Sequence, residues 1–114
     1  MSTVTSTFQK TPAYRYIRES DQLPKDIHYE ALAEEIICKV KLFNPTGAGT
    51  WWIASYDPET EIAFGVAEIH ERELGSIWIP ELVAYRGRFG LPIERDLHYK
   101  PTSCAEILKD ARGF

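Results

Sequence analysis

The chain carries few of the residues that announce a reaction. It has two cysteines, Cys38 and Cys104, far apart in sequence, and the N-terminal MSTVTSTFQK contains no apolar segment of the kind a signal peptide requires. Both points lead to the expectation of a reducing cytoplasm with both thiols free, a Cys38–Cys104 disulfide being the alternative. Three histidines, His28, His70 and His98, stand at no metal-ligand spacing to each other or to the cysteines, so neither a metal nor a cofactor is expected. No apolar run approaches the roughly 18 residues of a membrane-spanning helix. A basic stripe is missing as well. The 13 Lys and Arg are scattered among 17 Asp and Glu, for a net charge of −4, whereas duplex binders draw most of their affinity from clustered cations on phosphates.

Familiar catalytic motifs are incomplete where they begin. His70-Glu71-Arg72-Glu73 resembles the start of a zinc-protease helix, but Leu74 stands where the second histidine belongs. Gly47-Ala48-Gly49-Thr50 lacks the lysine of a phosphate-binding loop and reads as a turn. Asn44-Pro45-Thr46 is barred from glycosylation by its proline. Neither cysteine has a base beside it in sequence to activate it as a nucleophile.

What is present suits one globular domain. The 114 residues are 44% apolar and include three Trp, six Tyr and five Phe, enough to bury about two-thirds of the unfolded surface without a metal or disulfide staple. Residues 1–13 read as a mobile tail and 14–114 as a single domain. Tyr14-Arg15-Tyr16-Ile17 suits a short added strand or an extended arm. Asp26 is placed to cap a short helix over Tyr29–Glu35.

Strand-like runs follow. In Ile36–Phe43, Cys38, Val40 and Leu42 alternate with Ile37, Lys39 and Lys41. Thr50–Tyr56, Glu61–Ile69 and Gly75–Ile79 are further strands, the first three runs joined by turns at 44–49 and 57–60. Short links between consecutive strands favour an antiparallel meander. Pro80 opens a short helix to Tyr85, ended by Gly87. Leu97-His98-Tyr99 suits a last strand. Ser103-Cys104-Ala105-Glu106 fits a capping box for a helix running to about Arg112. The fold class is α+β: a small antiparallel sheet of about four to five strands, with short helices on one face or end.

Several strings carry a family resemblance: Lys41-Leu42-Phe43-Asn44-Pro45, Thr50-Trp51-Trp52, Tyr56-Asp57-Pro58, Phe64-Gly65, Glu73-Leu74-Gly75, and above all 86–97, RGRFGLPIERDL, followed by Tyr99-Lys100-Pro101. From about Lys39 to Pro101, a little over half its length, the chain resembles the uncharacterised bacterial family named domain of unknown function 2958. The first 35 residues match that family poorly. The resemblance implies a small stand-alone cytoplasmic protein, carried on plasmids, integrative elements and phages beside anti-restriction and DNA-processing genes. It brings no catalytic residues.

Two clusters remain as candidate sites. Glu94-Arg95-Asp96 offers two carboxylates for acid–base work and a guanidinium to clamp an anion; alternatively Arg95 pairs with a carboxylate and pins the turn after Pro92. Trp51 and Trp52 face opposite ways on a strand, so one indole is expected in the core and the other outside, where Tyr56 or Trp78 could join it in a binding surface. The leading expectation is a non-enzymatic binding module acting on a protein partner. The alternatives are a small enzyme or ligand-binding protein built on Glu94-Arg95-Asp96, and a single-strand nucleic-acid binder using outward aromatics. An exposed strand edge would also support a homodimer.

Overall fold

Runs of β-branched and aromatic residues, punctuated by Gly, Pro and Asn, fold here as hairpin-linked strands. The computed structural model describes residues 15–110, so the tail expected over 1–13 lies outside the described residues. The elements are β1 (Ile37–Cys38), β2 (Val40–Phe43), β3 (Thr50–Asp57), β4 (Ile62–Glu68), β5 (Arg72–Trp78), α1 (Ile79–Ala84), β6 (Glu94–Arg95), β7 (Thr102–Ser103) and α2 (Cys104–Asp110), with 3-10 turns at Glu19–Asp21 and Arg88–Gly90. Five strands form an antiparallel sheet in the order β5-β4-β3-β2-β6, and β1 pairs with β7 in a separate two-stranded ladder. The architecture is α+β.

The sheet is covered on both faces. One face presents Val40, Leu42, Trp51, Ile53, Tyr56, Ala63 and Ile77 to a core closed by Tyr16, Ile17, Leu82 of α1 and Ile93. The other presents Trp52, Ala54 and Val66 to a second core closed by Ile36, Cys38, Cys104 and Ile107. Each cluster removes large apolar side chains from water, the dominant favourable contribution to folding.

A β-bulge divides β3. Ile53 pairs with Gly65 and Ser55 with Phe64, which leaves Ala54 without a partner on β4. The extra residue keeps Ala54 and Ser55 on the second face and returns Tyr56 to the first. Glycine is required opposite it: a Cβ on Gly65 would lie 1.8 Å from the Trp52 carbonyl oxygen.

The remaining elements correct the sequence reading in several places. The run 36–43 is two strands, because Lys39 breaks the ladder and donates its N–H to the Ile53 carbonyl. Cys38 therefore joins the second core, while Val40 and Leu42 join the first. No helix forms over 29–35. Its backbone is spent on turns: Ala31 N–H donates to the His28 carbonyl, and Leu32 N–H to the Glu35 carboxylate. Ala31, Ala33 and Ile36 pack on the second core at a spacing no helix face would give. Residues 97–99 are a turn, and the short strands lie on either side at β6 and β7. Residues 15–17 form no strand, and Tyr16 and Ile17 are buried. Helix α1 ends at Tyr85 in extended conformation, and Gly87 instead opens the following 3-10 turn. Helix α2 starts as expected, with Glu106 N–H donating to Ser103 Oγ; the expected end at Arg112 falls outside the described residues.

Candidate functional site

The bulge, the β3–β4 turn and the segment before β1 together shape a cleft of about 550 Å³ on the second face of the sheet. Its floor is Ser55, Ile62, Phe64, Leu74 and Ser76, which the β3–β4–β5 register brings side by side. Its wall is the chain from Lys25 to Ala31, with Ile36 behind, and Asp57 and Thr60 close one end. A smaller hollow of about 270 Å³ undercuts the other side of the same segment, so Asp26–His28 stands as a ridge between the two.

The ridge is ordered by its own side chains. His28 Nδ1 accepts from the Glu30 N–H at 3.1 Å, which leaves Nε2 to carry the proton of the neutral ring. The imidazole stacks on Tyr29 with centroids 4.8 Å apart. Lys25 donates to Glu59 at 3.2 Å, and that bond, with Asp57 nearby, raises the lysine pKa. Among the described residues, no side-chain hydrogen bond joins His28 to Ser55, Ser76, Asp26 or Asp57, and no cluster of three His, Cys, Asp or Glu is arranged to hold a metal.

Part of the cleft floor is itself exposed apolar surface, which continues beyond the cleft to Trp78. Ile62 and Trp78 are cross-strand partners, and Leu74 lies four pairs away along β5, on the same face. Trp78 is 57% exposed, with Ile62 and Leu74 also open to solvent. Strand β5 is one edge of the five-stranded sheet; its charges, Arg72 and Glu73, lie at its start, and from Leu74 to Trp78 it carries no charge and no proline.

The other candidates lie elsewhere. Trp51 and Trp52 do point to opposite faces, but with both faces covered neither is outward: they are 8% and 6% exposed. Trp52 is flanked by the Arg72 guanidinium at 4.7 Å and the Lys41 ammonium at 5.8 Å from its ring centroid. Tyr56 is buried in the first core, and that burial pushes its pKa up to about 12. Of the four aromatics, only Trp78 faces solvent.

Glu94, Arg95 and Asp96 are not brought together on one site. Arg95 turns inward and grips Asp21 through two bonds of 2.7 and 2.8 Å, with a third to the Tyr16 carbonyl. Asp96 accepts from the His98 N–H and lies 3.7 Å from Lys41 Nζ. Glu94 is exposed on β6. None of the three lines the cleft.

The cysteines, unrelated by spacing, are neighbours in space. Their Sγ atoms are 3.4 Å apart, both buried, in the second core. The hydrogen bond between the thiols, together with burial, raises the Cys38 pKa, and the same bond lowers that of Cys104. Sequence reasoning also missed the cleft itself. Its wall, Lys25 to Ala31, runs from the expected loop through the expected cap Asp26 into the first residues read as helix, and its floor lies beside a bulge with no local signature beyond Gly65.

No helix among the described residues is long and apolar enough to cross a membrane. No curated protein matches the chain, and no solved structure matches it. A family model described as protein of unknown function (DUF2958) matches residues 18–112. The match reaches well into the first 35 residues, which the sequence strings had left outside the resemblance. With Asp21, the ridge and α2 all inside that span, the chain belongs to the DUF2958 family.

Proposed function

We propose that this chain is a non-enzymatic binding module that engages a protein partner through the second face of the sheet, where Ile62 and Leu74 lie in the cleft floor and Trp78 stands beside it. The observation that supports this reading is the continuity of exposed apolar surface with a concave, partly polar floor beside an edge strand that is uncharged from Leu74 to Trp78. Interfaces are anchored by a few large side chains in such settings, tryptophan foremost. The cleft has the size of a small-molecule or side-chain pocket, and its mixed rim of Lys25, Asp26 and Asp57 gives polar fixing points around an apolar floor. In this reading the protein works in the cytoplasm as an accessory factor of a mobile element or phage and acts on a host system; that part rests on the family resemblance alone.

The test compares tagged wild type with Leu74→Ser and Trp78→Ala in affinity capture from bacterial lysate, with and without nuclease. A stoichiometric, nuclease-resistant protein lost in both variants, each still folded by circular dichroism, is the expected result. Capture unchanged in both would overturn this surface as the interface. Partners lost on nuclease treatment would favour single-strand nucleic-acid binding instead.

A further inference from the structure

Cys38 ends β1 and Cys104 begins α2, 66 residues later. Two devices bring them together. The β1–β7 ladder sets Cys38 opposite Thr102 and Ile37 opposite Ser103. The Cys104 N–H then donates to the Ile36 carbonyl at 2.8 Å, which ties the first turn of α2 to the start of β1. The sulfurs meet at 3.4 Å in a site closed by Trp52, Ala54, Val66 and Ile107. A disulfide needs a separation of about 2.05 Å, so the two must approach by only about 1.4 Å.

We propose that Cys38 and Cys104 form a redox modification site: a buried dithiol that closes to an intramolecular disulfide when oxidised by hydrogen peroxide. The small neutral oxidant suits sulfurs that are both out of contact with solvent, a setting that excludes a bulky disulfide such as oxidised glutathione. In the first step the Cys104 thiolate attacks one peroxide oxygen and the O–O bond breaks. Hydroxide leaves and takes up the proton that Cys104 had lost, giving water and a sulfenic acid on Cys104. Cys38 then attacks that sulfur, the S–O bond breaks, and the hydroxyl departs with the Cys38 proton as a second water. The two sulfurs together lose two electrons and the peroxide gains them. Contact with Cys38 lets this second step outrun further oxidation of the sulfenic acid.

The experiment uses the full chain, reduced, freed of reductant and treated with a small excess of hydrogen peroxide. Intact mass is expected to fall by about 2 Da, the mass of two hydrogens. Alkylation after unfolding should then label neither cysteine, and peptide mapping should recover the Cys38 and Cys104 peptides joined. The protein should run as a monomer on a non-reducing gel, and dithiothreitol should restore both thiols. Cys104→Ser should show no such loss of mass; where that variant fails to fold, the wild-type peptide map decides alone. Two thiols still alkylated, sulfinic or sulfonic acid on either cysteine, or a covalent dimer would each overturn the proposal.

Discussion

Arg95 holds Asp21 in a two-pronged ion pair across 74 residues of sequence, with side chains only 18% and 10% exposed. The pair fastens the segment before the sheet to its β6 edge, next to Tyr16, whose hydroxyl donates to the Ile93 carbonyl.

Cutting that link should therefore cost stability. Asp21→Asn is expected to lower the unfolding free energy by about 2–4 kcal/mol, because a mostly buried guanidinium loses its charged partner. Arg95→Lys should fall in the same direction, since an ammonium cannot reproduce the fork. Urea midpoints measure both, and a change within error in either would show that the pair does not fasten the N-terminal segment.

Two glycines on neighbouring strands should respond in opposite ways. Gly65→Ala places a methyl group 1.8 Å from the Trp52 carbonyl oxygen. We expect a loss of at least about 3 kcal/mol, or no soluble protein, as for other severe overpacking. Its cross-strand partner Gly75 has nothing within 4 Å of an added Cβ. Gly75→Ala should stabilise by about 0.5–1 kcal/mol through the unfolded chain. Thermal melts of the two variants beside wild type decide the matter.

Among the three tryptophans, Trp78 is the exposed one, with Trp51 and Trp52 buried. Trp78→Phe should shift the emission maximum to the blue and sharply reduce quenching by acrylamide, with stability unchanged to within about 0.5 kcal/mol. Trp52→Ala, by contrast, should cost about 3–5 kcal/mol. Quenching that survives the Trp78 substitution would mean that one of the other indoles is reached by solvent.

Burial pushes Tyr56 and Tyr99 up to about 12. A phenol whose pKa is higher folded than unfolded keeps its proton more firmly in the native state. The stability this represents is complete below about pH 10, the unfolded value, and is lost as pH rises through about 12. Tyr99 also donates to the Cys38 carbonyl at 2.8 Å, so Tyr99→Phe should be less stable than wild type by about 1 kcal/mol at pH 8. That deficit should shrink and then reverse towards pH 12. Urea midpoints across this range provide the check, and a constant deficit would contradict it.

The strands of the meander were legible because each is a compact β-rich run bounded by turn residues, and Pro80 and the Ser103–Glu106 box marked both helices for local reasons. What escaped the sequence depends on partners distant along the chain. The Arg95–Asp21 pair and the contact of Cys38 with Cys104 join residues no spacing rule connects. Trp51 and Trp52 alternate as a strand requires, yet alternation cannot say that a second layer, built from 27–36 and α2, covers the other face. The segment 29–35 has helical composition, but turn hydrogen bonds to His28 and Glu35 take its backbone first. The candidate cleft inherits both difficulties, since its wall runs from Lys25 into that segment as far as Ala31 and its floor lies beside the bulge.

The unpaired Ala54 makes β3 tolerant of losing one residue at that point. Ala54 and Ser55 share the second face, so a strand without Ala54 would run on in simple alternation, with Ser55 still opposite Phe64 and Tyr56 still in the first core. What the extra residue adds is local bend and twist beside the cleft. Its loss would flatten the surface the cleft displays while leaving every remaining side chain on the side it already occupies.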